Sequence, residues 1–252
     1  MRSMEPNPLV DFKGRLYEHY LTQQVRLSLE TVQAALVQRG PYLRQMIAAY
    51  LPPDKSSRIL DLGCGYGGIL HALREAKYSS VTGVDVSQEQ VDLAKRLGFE
   101  DVHCMDVHAF LDQVPDGTYD VVIAFDILEH FARHELLVLM DELHRILTRG
   151  GRLIVHVPNG EGIFSGTVLN GDLTHELAFT RASIKQLAGA SSFRVTAVRE
   201  DQPVAHGLRS LVRLLIWRVG SFFFRLLAVA ETGEGFRDKP LSQNLLAILE
   251  SV

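Results

Sequence analysis

The chain has 252 residues, with 26 basic and 30 acidic side chains and a formal net charge of −4. That length buries a sizeable core as one α/β unit, and the slightly acidic balance excludes global recruitment of nucleic acid. Cys64 and Cys104 are too few for a disulfide framework and lack metal spacing, and no secretory apolar run opens the sequence, so a cytoplasmic location is expected.

Residues 9–51 read as helical, with an apolar stripe of Leu27, Val32, Ala35 and Leu36, a break at Gly40-Pro41 and an end at Leu51-Pro52-Pro53. Residues 1–52 are therefore expected to form an N-terminal helical cap. Phe12, Tyr17 and Tyr20 are candidate lid aromatics, although such a trio also suits ordinary packing. Beyond the linker, apolar runs at 58–62, 80–84, 119–125 and 152–157 alternate with helical patterns at 67–76, 87–97 and 133–147. This rhythm predicts a doubly wound, Rossmann-like α/β fold over residues 53–252.

The most informative stretch is Ile59-Leu-Asp-Leu-Gly-Cys-Gly-Tyr-Gly-Gly68, an apolar strand ending in glycines that let backbone approach a ligand closely. A second acid, Asp85, closes the next strand 22 positions beyond Gly63, near the spacing of about 20 at which a carboxylate meets ribose hydroxyls. Gly63-x-Gly65-x-x-Gly68 also fits the dinucleotide fingerprint of nicotinamide enzymes. Asp61 argues against that reading, because a carboxylate there repels a pyrophosphate and suits a ligand carrying an ammonium and a sulfonium.

At this point the chain resembles the class I S-adenosylmethionine (SAM)-dependent methyltransferases, whose first motif reads like Asp61-Leu-Gly63-Cys64-Gly65-Tyr-Gly67. The resemblance implies SAM as cofactor and a mostly parallel seven-stranded sheet with N-terminal helices and a helical insertion before the last strand. It divides the domain into a cofactor-binding half, 53–158, and an acceptor-facing half, 159–252. It also implies that Val86 lies against adenine, that Asp106 accepts from the adenine amino group, that Met105 and Val107 sandwich the ring, and that Phe125 lines the site. Asp106 is equally suited to cap the helix that follows it.

The strand 119–125 ends in Asp126-Ile-Leu-Glu129-His130-Phe131, which resembles the acid-x-x-Glu-His stretch of small-molecule O-methyltransferases, including the ubiquinone-biosynthesis type. Asp126, Glu129 and His130 are thereby candidate ligands for a divalent ion such as Mg²⁺, although oxygen-rich Mg²⁺ sites need more acids or water. The bland alternative has Asp126 and His130 capping the next helix. Farther on, Gly171-Asp-Leu-Thr-His-Glu-Leu-Ala-Phe-Thr180 resembles methyltransferases of bacterial surface-polysaccharide and glycan gene clusters. The acceptor implied is a sugar hydroxyl of a surface glycan or of its nucleotide- or lipid-linked precursor; another small molecule such as a quinone precursor or phenol, or a non-catalytic SAM-binding role, are the alternatives. A sugar hydroxyl needs a general base, and imidazole has the best-matched pKa. His175, oriented by Asp172 or Glu176, is the first candidate and His130 the second.

Residues 207–230 are strongly apolar, yet contain Arg209, Arg213, Arg218 and Arg225 and no acid. That pattern argues against a membrane span and for an amphipathic helix or helix pair. Peripheral contact with the inner face of the membrane, a homodimer seam, a cap over the acceptor pocket and packing on the protein's own sheet are the readings it allows. Gln243-Asn-Leu245 is expected to begin the final strand.

Overall fold

A computed structural model describes residue 16, residues 29–233 and residues 239–252. The lid candidates Phe12, Tyr17 and Tyr20 lie outside the described residues. Helices α1 (Leu29–Tyr50), α2 (Gly68–Glu75), α3 (Gln88–Arg96), α4 (Val107–Leu111) and α5 (Arg133–Ile146) alternate with strands β1 (Arg58–Leu62), β2 (Ser80–Asp85), β3 (Val102–Cys104), β4 (Tyr119–Phe125) and β5 (Leu147–Pro158). The chain then runs through α6 (Ser165–Leu169), α7 (Arg181–Ala190), β6 (Phe193–Glu200), α8 (Leu208–Thr232) and β7 (Asn244–Ser251).

The seven strands form one sheet in the order β3-β2-β1-β4-β5-β7-β6. Strands β1 to β5 pair in parallel, while β7 runs antiparallel to both β5 and β6. The seven-stranded, Rossmann-like expectation is met, with one antiparallel hairpin at the edge. Side chains alternate across the sheet as a two-residue period demands. Leu60, Leu62, Val122 and Ala124 join one buried layer with Leu139, Met140 and Leu143 of α5. Ile59, Val121, Ile123 and Ile154 join the opposite layer with Leu43, Met46 and Ile47 of α1. The order reverses between β1 and β4, so the carboxyl ends of β1, β2 and β4 open a crevice there, where α/β sheets place their ligands.

Two boundaries differ from the sequence reading. Helix α1 continues through Gly40-Pro41 instead of breaking. An interior proline costs about 3 kcal/mol, but Leu43, Met46, Ile47 and Leu51 beyond it are all buried, and burial stabilises by roughly 1.5–3 kcal/mol for each large aliphatic side chain. Strand β5 begins at Leu147, with Gly150-Gly151 inside it rather than before it. Its early pairing with Tyr119 shifts register before Val121, and Gly150 takes the positive φ (76°) that this irregularity needs.

Candidate active site

A cavity of about 590 Å³ opens at the strand ends, walled by the glycine loop after β1, the ends of β2 and β4, the start of α4 and one face of α1. Its floor is set by backbone conformation. Gly63 and Gly65 have φ of 71° and 54°, and a Cβ at Gly65 would come within 2.9 Å of the Gln90 side chain. The Gly63 and Cys64 N–H groups both donate to the Val84 carbonyl, tying the loop to β2. Gly67, also at positive φ, turns the chain into α2 rather than facing the cavity.

Asp85 holds this loop from the far side. One carboxylate oxygen accepts from the Gly65 N–H at 2.8 Å and the other from the Ser87 N–H at 2.8 Å. Burial raises its pKa, and the two backbone donors act in the opposite direction. Asp85 lines the cavity, and each of its oxygens retains acceptor capacity beyond its one backbone donor, as a ribose diol requires. Val86 presents a half-exposed apolar surface to the same space, and Val107 lines it too. Asp106 lines the cavity while accepting from the His108 and Ala109 N–H groups, so its helix-capping role is real and coexists with its place at the wall.

Two further expected contacts fall elsewhere. Met105 packs into the core behind the wall, with Gln113 Nε2 at 3.2 Å from its sulfur, so it is not one side of a ring sandwich. Asp61 is fully buried beneath the loop instead of facing the cavity, and both its oxygens lack hydrogen-bond partners. Burial, reinforced by the Asp85 charge, pushes its carboxyl well above the usual range. A cation bound above the loop would relieve that pair of acids. Cys64 does line the cavity, as a buried thiol whose pKa burial drives upward, and it also fills the space beside Gly83.

At the end of β4, Phe125 is stacked on His156 (4.7 Å between ring centres, 11° between planes). Asp126 follows with φ of 54°, a left-handed conformation uncommon outside glycine. Its carboxylate faces the cavity and meets His156 Nδ1 at 2.5 Å and Arg39 at 3.4 Å, while His156 Nε2 meets Asp201 at 3.1 Å. His156 is buried inside β5. Burial alone would push its imidazole down, yet Asp126 and Asp201 prevail and raise it to about 10. Burial would likewise push Asp126 up, and His156 and Arg39 hold it down at about 2. The result is an imidazolium clamped between two carboxylates. His156, Asp201 and Arg39 were not singled out from sequence. The available signal was a histidine inside an otherwise apolar run, Leu153-Ile-Val-His-Val157, where a buried polar group demands partners.

The loop 171–180 is stitched onto the turn after β4, because the Glu176 and Leu177 N–H groups both donate to the Glu129 carbonyl. Thr174 hydroxyl lies 2.8 Å from His130 Nδ1 and 2.7 Å from Asp172 Oδ1, which also accepts from the Thr174 N–H. Asp172 therefore reaches His130 through Thr174, its carbonyl accepts from the His175 N–H at 3.3 Å, and Glu176 is exposed, its N–H holding the Glu129 carbonyl. His175 sits behind His130, its ring edge-on at 4.8 Å, with Nδ1–H donating to the Val168 carbonyl. His130 lines the cavity and His175 does not. Burial and the neighbouring His175 lower His130 to about 4, so its ring is neutral at neutral pH.

Glu129, His130 and His175 bring candidate ligand atoms within 4.8 Å of one another. Asp126, expected as the third ligand, is engaged with His156 and Arg39 instead. One carboxylate and two imidazoles suit Mg²⁺ poorly, since that ion demands oxygen ligands in near-ideal octahedral geometry. Glu129 and His175 are also 3.9 Å apart, wider than the roughly 3.3 Å between neighbours in a tetrahedral site with 2.0–2.1 Å bonds.

Comparison with known proteins follows the same lines. A family model described as a methyltransferase domain matches residues 60–155. The chain is 32% identical over 163 residues to a demethylmenaquinone methyltransferase of Thermus thermophilus, covering 62% of this chain and 71% of that protein. It is 31% identical over 125 residues to 27-O-demethylrifamycin SV methyltransferase of Amycolatopsis mediterranei, covering 48% and 45%. Several curated relatives are matched over half their length or less. Among solved structures, a SAM-dependent methyltransferase from Archaeoglobus fulgidus superposes with a TM-score of 0.61 at 21% identity, covering 94% of this chain and 99% of that one.

Proposed function

The chain belongs to the SAM-dependent methyltransferases, and from that premise we propose that it methylates a hydroxyl of a sugar in a surface glycan or in its nucleotide- or lipid-linked precursor. The observation that carries the proposal is the single cavity that joins Asp85 and Asp106, the cofactor-type acids, to His130 and Asp126 at the rim. The family match sets aside the nicotinamide reading of the glycine pattern. The likeness to 27-O-demethylrifamycin SV methyltransferase and to a ubiquinone biosynthesis O-methyltransferase of Idiomarina loihiensis supports an oxygen acceptor. The sugar assignment rests on the loop 171–180 and its attachment to Glu129. Quinone-directed relatives favour a second reading, a quinone precursor or phenol as acceptor.

SAM fits this site: Gly63 and Gly65 line the cavity in positive-φ turns, and the buried acids Asp61 and Asp85 want a cation above them. When bound, it supplies an activated methyl group on a sulfonium. Asp85 would hold the ribose hydroxyls, Asp106 the adenine amino group, and Val86 and Val107 the ring faces. His130, neutral and facing the cavity, takes the proton from the acceptor hydroxyl. Asp172, acting through Thr174, stabilises the imidazolium that forms. Much of the remaining rate comes from holding the acceptor oxygen at about 3 Å in line with the methyl group.

His130→Ala is expected to lower turnover by about a hundredfold or more while leaving SAM affinity intact, measured by methyl transfer from labelled SAM to a panel of nucleotide sugars, lipid-linked sugars, quinone precursors and phenols. Unchanged turnover on the accepted substrate would remove His130 from the chemistry. The donor set at Glu129, His130 and His175 suits Mg²⁺ poorly. Turnover is expected to survive incubation with EDTA and dialysis; activity lost on chelation and restored by Mg²⁺ would reinstate the ion.

A further inference from the structure

Helix α8 is built inside out. Ser210, Leu214, Trp217, Ser221, Arg225 and Ala228 recur at three- and four-residue intervals and are its buried or half-buried residues along one stripe. On a helical projection at 100° per residue, that stripe lies opposite the large apolar side chains. Leu215, Ile216, Val219, Phe222, Phe223 and Leu227 are each at least 50% exposed. A water-facing helix of a soluble domain has the reverse arrangement, and exposed apolar surface of this extent marks an interaction site.

The charges say what covers it. Arg209 and Arg213 project on one flank of the apolar stripe and Arg218 on the other, and all three are exposed. No acid occurs from 208 to 230, although the whole chain is net negative. Arg225 is set apart: it points inward, ion-paired with Glu200 and donating to the Lys239 carbonyl, and so anchors the helix to the end of β6. Long cationic side chains flanking an apolar stripe are the arrangement of a helix lying in a membrane surface, where the stems follow the apolar region and the guanidiniums reach lipid phosphates. Among the described residues no helix is long and apolar enough to cross a membrane, which leaves the helix lying along the surface.

We propose that α8 docks the protein on an anionic lipid surface, its apolar stripe set among the acyl-chain boundary and Arg209, Arg213 and Arg218 on headgroup phosphates. The helix joins β6 to β7 at the sheet end that carries the cavity: Glu200 pairs with Leu245 there, and Asp201, the next residue, holds His156. Docking through α8 thus brings the acceptor rim toward the leaflet, as a lipid-anchored acceptor requires. The docking claim does not depend on the acceptor assignment.

Flotation of the full chain with phosphatidylglycerol-containing vesicles tests it. Binding is expected with these vesicles and not with pure phosphatidylcholine, and it should weaken as salt rises. Combined Arg209→Glu, Arg213→Glu and Arg218→Glu should weaken partitioning by about a hundredfold, given three cations at an anionic leaflet; Ile216→Glu with Phe223→Glu should abolish it while far-ultraviolet circular dichroism stays unchanged. The His130→Ala variant should float like the parent, which separates docking from catalysis. Absence of flotation with anionic vesicles would overturn the proposal, as would a dimer in light scattering that Ile216→Glu dissociates without any vesicle binding. Equal flotation on neutral vesicles would overturn the assigned role of the arginines.

Discussion

Asp85→Ala is expected to weaken SAM binding by a factor of about 10² to 10⁴. A carboxylate accepting from two ribose hydroxyls makes two charge-assisted hydrogen bonds, and each such bond is worth about 1.5–3 kcal/mol, with a factor of ten in affinity for every 1.4 kcal/mol. The substitution also releases the Gly65 and Ser87 N–H groups that Asp85 now holds at 2.8 Å, so the loop loses part of its preorganisation. Asp85→Asn keeps the shape and one acceptor oxygen and should fall between the parent and the alanine variant. Calorimetric titration with SAM and with S-adenosylhomocysteine reads the effect, and circular dichroism checks that the variants are folded. A loss below tenfold in the alanine variant would place the ribose elsewhere.

The second large effect concerns His156. Replacing it by glutamine leaves Asp126 and Asp201 facing each other around a neutral group; because these carboxylates are 41% and 28% exposed, the cost is about 2 kcal/mol, below the roughly 3–5 kcal/mol of a fully buried pair. At roughly 2–4 °C per kcal/mol for a chain of this size, the melting temperature should fall by about 4–8 °C. The linkage has a definite sign. His156 is raised in the folded protein from 6.5 to about 10, so the folded state keeps a proton that the unfolded chain releases once the pH passes 6.5. The stabilisation is complete below pH 6.5 and is lost progressively as the pH climbs from 6.5 to 10. Differential scanning calorimetry across that window should show the parent losing stability and His156→Gln losing much less. Parallel curves for the two proteins would mean that the imidazole is not charged.

The same network bears on catalysis through Asp126. A left-handed backbone at a non-glycine residue costs of order 1–3 kcal/mol and persists where surrounding structure enforces it. Here the enforcement is visible in the bonds to His156 and Arg39. They aim a permanently ionised carboxylate into the cavity from the turn that also carries His130. Arg39 comes from α1, so the helix before the sheet takes part in the site as well as covering it.

How much of this was legible in the sequence depends on whether the determinant was local. The strands 58–62 and 119–125, the glycine loop, and the acids Asp85 and Asp106 declare themselves within short windows, because apolar runs and glycines at strand ends are local signals. Pro41 misled because its cost is local while the burial of Leu43, Met46 and Ile47 that outweighs it is tertiary. Asp61 looked like a ligand contact from its position beside Gly63, but the strand's side-chain alternation turns it under the loop. The choice between His130 and His175 could not be made from a motif. It follows from the hydrogen bonds between the Glu176 and Leu177 N–H groups and the Glu129 carbonyl, which put His175 one ring behind His130. Arg39, Asp126, His156 and Asp201 are separated by up to 162 positions in sequence (201 − 39), so only the folded chain brings them together.

The cavity beside Gly63 and Gly65 is shaped for a positively charged adenosyl sulfur compound. Isothermal titration of the parent protein with SAM, S-adenosylhomocysteine and NAD tests it directly. Both adenosyl ligands should saturate one site per chain and NAD should not bind; saturation by NAD with no heat from either adenosyl compound would show that the cavity serves a different cofactor.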